Sequence, residues 1–149
     1  MELPINYLAV LGSAVAAIVL GFLWFGPLFG RAWMNSMGMN LEEEKARMQS
    51  DPTMKRKMMR SYIIMALGAL VMAFVFAHAL LFAMTYLQSS GIAGGLQGAF
   101  WNWLGFVAPV SIGGVLWESK TWKWWFITAG YYLVSLGIMS VILVLWGLP

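Results

Sequence analysis

His78 is the only histidine in a chain of 149 residues, and it stands in a stretch, Ser61 to Trp117, with no Asp, Glu, Lys or Arg across 57 positions. An ionisable side chain among residues that must leave water is a functional candidate in its own right, because such groups are costly to bury. General acid–base work or a proton relay needs a second titratable group within reach. The stretch supplies no carboxylate and no second imidazole. The preferred reading of His78 is therefore one hydrogen bond, donated across a helix bundle to a backbone carbonyl. Asn102, between Trp101 and Trp103, reads as a cap or an interhelical hydrogen-bonding group. Glu118 lies beside Lys120 and Lys123. A carboxylate there can hold a cation, but an ion pair inside a tight turn accounts for it.

Seven of the twelve methionines lie between Met34 and Met59. Soft thioethers bind Cu(I), yet no His or Cys joins them, and adaptable apolar contact at a membrane surface explains them better. The chain has no cysteine, which excludes disulfides and thiolate metal sites. No Ser–His–acid set, P-loop, HExxH or GxGxxG occurs. The expectation is a non-enzyme without cofactor or metal.

Composition names the solvent in which any such residues must be held. The chain is 61% hydrophobic and 10% charged, against about 45–50% and about 25% in soluble domains. The net charge of +3 suggests nucleic acid, but its distribution excludes that partner. Seven of the nine Lys and Arg fall in Arg31–Arg60 together with four of the acids, which reads as a short loop facing anionic lipid.

A membrane helix needs about 20 apolar residues. The charge-free stretches fit an all-α membrane protein of four spans in an antiparallel bundle, near 5–25, 62–86, 97–117 and 124–146, with a cytoplasmic loop over 31–60. The first span ends at Gly26-Pro27, where proline removes a donor. The turn between the second and third is Gln88-Ser89-Ser90-Gly91 with Gly94-Gly95 following. Glu2 in place of a basic residue, and the length of the first apolar run, favour a retained span over a cleaved signal. Lys and Arg number none, seven, none, two and none along the successive connections. The positive-inside rule then puts both termini outside the cytoplasm. Trp24, Trp33, Trp117, Trp122, Trp124 and Trp125 are expected at the inner boundary, and Trp101, Trp103 and Trp146 at the outer one.

Two helix starts are written into the first loop. Asn40 precedes Leu41-Glu42-Glu43-Glu44, an N-cap with acids at the positive end of a helix. Asp51-Pro52 is a second, with proline at the first helical position. The second span is therefore expected to begin near Pro52 and to extend into the cytoplasm, holding Lys55, Arg56, Lys57 and Arg60 at headgroup level. Ala9, Ser13, Ala17 and Gly21 give the first helix a face of small residues, and Ala69, Ala73 and Ala77 do so for the second. Gly130 and Gly137 lie on the fourth. These faces suit a bundle and leave room for a second copy of the chain, a homo-oligomer.

The segment Asn6-Tyr7-Leu8-Ala9 through Gly21-Phe22-Leu23-Trp24-Phe25-Gly26-Pro27-Leu28-Phe29-Gly30-Arg31-Ala32-Trp33 resembles the small bacterial membrane family catalogued as domain of unknown function 1761. Glu118, Gly130-Tyr131, Gly137 and Trp146 carry the likeness through the closing half. Phe25, Arg31 and Thr128 depart from it where Tyr, Lys and Asn are usual. The resemblance implies four spans and no defined activity, and it adds Asn6, Trp24, Pro27, Trp33 and Tyr131 to the candidate positions. The functional expectation is a structural role or an interaction with membrane lipids or protein partners. The alternative is a small transporter or channel between protomers, with His78, Asn102 or Glu118 lining its path.

Overall fold

The computed structural model describes residues 5–147. The termini, and with them Glu2, lie outside the described residues. Helix α1 (Tyr7–Leu23) begins at Asn6, whose side-chain oxygen accepts from the Leu8 N–H at 2.9 Å. This satisfies one of the orphan donors of a helix start. The helix widens into a π-type turn over Trp24–Leu28. Pro27 offers no N–H to the ladder, and Gly26 leaves helical geometry (φ −104°, ψ −105°), so the chain turns a corner here. Phe29 N–H closes the corner onto the Trp24 carbonyl at 2.8 Å, and α2 (Gly30–Ser36) follows. A Cβ at position 30 would strike the Phe25 carbonyl oxygen, so this close approach requires glycine.

Both helix starts in the loop form where the sequence places them. Asn40 accepts from the Glu42 N–H at 3.0 Å to open α3 (Leu41–Ser50), which buries no residue. Asp51 accepts from the Thr53 N–H and hydroxyl, at 2.8 and 2.7 Å, to open α4 (Pro52–Leu87). With 36 residues, α4 is about 54 Å long at about 1.5 Å per residue, against about 30 Å of hydrocarbon. It ends at Gln88 in the left-handed region (φ 50°).

The third span departs from expectation twice. It starts at Gly91 rather than near Gln97, so Gly94 and Gly95 are buried inside α5 (Gly91–Asn102) and not part of the turn. A Cβ at position 95 would lie 2.7 Å from Val144 Cγ2. Gly95 lets α5 approach Val144 and Ser140 closely, the use that membrane bundles make of small residues. Nor is the span one continuous helix. It widens at Trp103–Val107 and resumes as α6 (Ala108–Ser111) and α7 (Gly113–Trp117). Pro109 has no N–H for the Gly105 carbonyl, which places the irregularity there.

Helix α8 (Trp122–Ile142) is capped by the Thr121 hydroxyl and ends in a wide turn, Leu143–Gly147. It is the central element, with Ala129, Tyr131, Ser135, Leu136, Met139 and Ser140 among its buried residues. Asn6 meets Trp146, Ala17 meets Tyr131 and Trp24 meets Ile127, so α1 and α8 run in opposite directions. Leu80, Met139 and Leu143 are fully buried between them and α4. The small faces behave largely as expected. Ala9, Ser13, Ala17, Ala73 and Ala77 are sealed, while Gly21 and Ala69 are half-buried. Outside, Leu8, Val71, Phe82, Phe106 and Val110 are well exposed, a surface that hydrocarbon accepts and water penalises.

Candidate functional site

The residues of the opening signature converge where the α1 corner meets α8. Trp24 lies in the wide turn and donates its indole N–H to the Ile127 carbonyl at 3.0 Å. Trp33 is carried back to the same helix by α2 and donates to the Thr128 hydroxyl at 3.3 Å. Tyr131, one turn further along α8 and buried, donates to the Ala17 carbonyl at 3.0 Å. A helical carbonyl keeps a second lone pair after its ladder bond, so α8 and α1 can accept these donors without losing their own bonds. Phe25 fills the space between, its ring 5.1 Å from that of Trp33 and 5.0 Å from that of Tyr131. Pro27 makes the corner that brings Trp24 and Trp33 to one side. Phe25 and Thr128 thus both adjoin Trp33.

Asn6 works at the opposite end of α1. Its amide nitrogen donates to the Trp146 carbonyl at 3.2 Å while its oxygen caps α1. One side chain therefore fastens the start of the first helix to the final turn of the last.

The remaining candidates are scattered. His78 does not reach across the bundle. Its Nδ1 lies 2.7 Å from the carbonyl of Phe74 on its own helix, with the two rings 4.4 Å apart. The carbonyl one turn back is the nearest acceptor a helical side chain can meet. Asn102 likewise donates to Gly98 in its own helix, at 2.9 Å, neither capping nor bridging helices. Glu118 is exposed and makes no ion pair with Lys120 or Lys123. Among the described residues the ion pairs are Lys45–Glu42 and Arg47–Glu44. Its turn is closed by backbone, with Ser119 at φ 57° and the Gly114 carbonyl accepting from Lys120. No three His, Cys, Asp or Glu among the described residues are grouped to hold a metal.

Trp103 corrects another expectation. It donates to the Ala129 carbonyl at 2.8 Å, seven residues into α8, about 10 Å from the start of that helix. It is a bundle residue and not a boundary one. Trp125 is also tied inward, to the Ser111 hydroxyl at 3.0 Å, whereas Trp117 is 86% exposed. What the sequence does not announce is the acceptor side. The carbonyls of Ala17, Ile127 and Ala129 carry no side-chain signal.

A helical bundle with four helices long and apolar enough to cross a membrane, fastened by indole and phenol donors to backbone carbonyls, defines an α-helical membrane protein. Over residues 8–144 the chain matches the family described as Protein of unknown function (DUF1761), and it belongs to that family. No curated protein and no solved structure matches it.

Proposed function

We propose that this is a non-catalytic protein of a bacterial inner membrane. It acts as a rigid four-helix unit whose role is contact with lipid and with protein partners, a second copy of itself included. One observation carries the reading. The donors Asn6, Trp24, Trp33 and Tyr131 are all used in fastening α1, its corner and α2 to α8 and its final turn, so they serve the fold and not a substrate. An open apolar depression lined by Leu96, Val134, Gly137, Ile138 and Val141, and a hollow at the α1 corner, involve none of His78, Asn102 and Glu118. In this reading residues 31–60 and 118–121 face the cytoplasm and both termini face out, as the distribution of Lys and Arg favours. The first turns of α4 then stand in the headgroup layer, and exposed Trp117 and Trp122 anchor the same boundary.

The test is a flux measurement. Vesicles reconstituted with the protein are expected to hold proton and potassium gradients as long as empty ones do. A leak that disappears in His78→Ala, with the helical circular dichroism unchanged, would replace this reading with a transporter.

A further inference from the structure

The α1 corner encloses a hollow of about 290 Å³ lined by Phe25, Pro27, Leu28, Met34 and Leu41, with Arg31 in its wall. Among the side chains of the lining, which Gly26 and Gly30 complete with backbone, Arg31 alone is charged, and its guanidinium is permanently so. Arg31 is exposed and forms no ion pair among the described residues, and Glu42 and Glu44 of the neighbouring α3 are engaged by Lys45 and Arg47. The hollow also sits where an apolar span ends. Leu28 of its lining is 61% exposed, and Phe22 and Leu23 of the last turn of α1 are 56% and 49% exposed. The Phe22 ring lies 5.6 Å from that of Tyr62, which brings the basic start of α4, with Arg60 two residues before Tyr62, to the level of the corner.

We infer that this hollow binds the headgroup of an anionic phospholipid. A guanidinium presents paired donors that match phosphate oxygens. The apolar walls accept the glycerol and the first methylenes, and the acyl chains continue along exposed Phe22 and Leu23. At about 290 Å³ the hollow is at the lower end of the usual size for a small-molecule site, room for a headgroup rather than a whole lipid. A headgroup fits and the chains stay outside. Diffuse attraction from the basic loop would hold any anionic lipid loosely, whereas this arrangement fixes one at a defined place. The inference deepens the lipid-contact part of the proposed function and rests on the corner lying at the membrane surface.

The test uses the full chain in nanodiscs of phosphatidylcholine with a minority of phosphatidylglycerol, with the lipid retained on gentle release measured by native mass spectrometry. Wild type is expected to keep one phosphatidylglycerol. Arg31→Gln is expected to lower that retention about tenfold, the scale of one charge-assisted contact. Met34→Trp, which fills the hollow at constant charge, should lower it as well, and Lys120→Gln should not. Equal losses in Arg31→Gln and Lys120→Gln would show diffuse attraction only and overturn the site, as would retention unchanged in both hollow variants. A flux in the vesicle assay would remove the non-transport reading and leave this site standing. Loss of Arg31-dependent retention in tight vesicles would do the reverse.

Discussion

The Tyr131 hydroxyl donates to the Ala17 carbonyl at 3.0 Å, joining α8 to α1 across 114 residues of sequence. The small face of α1 makes room for it, since a Cβ at Gly21 would lie 3.3 Å from the Tyr131 oxygen. Removing the hydroxyl in Tyr131→Phe leaves the ring packing in place and deletes one interhelical bond. The expected loss is about 0.6 kcal/mol and at most about 1.7, the range of such bonds inside membrane bundles. Unfolding by SDS titration in mixed micelles measures it. No loss would mean that this bond does not contribute to holding α1 on α8.

Gly30 is set against the Phe25 carbonyl so closely that a methyl group has no place. The obstacle is backbone and not a flexible side-chain end. Gly30→Ala should therefore open the corner and cost about 1–3 kcal/mol, as overpacking does. Gly68, with nothing near its Cβ position, is the control and should accept alanine with no loss or a small gain from helix propensity. Thermal midpoints of the two variants in detergent distinguish these outcomes.

Ser13 is fully buried on the small face of α1 and its hydroxyl has no partner among the described residues. Both helical neighbours on that face, Ala9 and Ala17, are alanine and equally buried. Ser13→Ala removes an unsatisfied group at nearly constant volume, so it should be neutral or stabilising by up to about 1 kcal/mol. A clear loss of stability in the same SDS titration would show that the hydroxyl does find a partner in the membrane.

Much of this architecture was legible because it is local or because the solvent dictates it. The charge-free stretches mark spans wherever they fall, and Asn40 and Asp51 cap helices through groups two residues away. The third span is less legible, because its helix begins within a glycine-rich segment and is interrupted near Pro109. Gly94-Gly95 has the composition of a turn, yet both lie inside α5, with Gly95 set against Val144 and Ser140. Trp103 looks like a boundary residue until the Ala129 carbonyl is known to be its acceptor. The aromatic site was half legible. Its donors are conspicuous residue types, and the carbonyls they reach carry no signature.

Asp51 gives the fold a pH-sensitive helix start outside the spans. The Thr53 hydroxyl, then its N–H, hold the carboxyl below its ordinary value of 3.8. A depressed carboxylate contributes stability above its unfolded pKa and loses it as pH falls through the folded one. Asp51→Asn keeps an N-cap without the titration. The difference in thermal midpoint between the two proteins should be constant above about pH 4 and should diminish on further acidification. A difference that grows on acidification would contradict the assignment.

The claim that the aromatic signature fastens the α1 corner to α8 is tested most directly at Trp33 and Thr128, because there both partners are side chains, 3.3 Å apart. Stability is measured for wild type, Trp33→Phe, Thr128→Val and the double variant by SDS unfolding in mixed micelles. The account predicts a coupling energy of about 0.6 kcal/mol, with each single change destabilising. Strict additivity of the two changes would contradict it, leaving Trp33 and Thr128 as donor and acceptor free for a ligand.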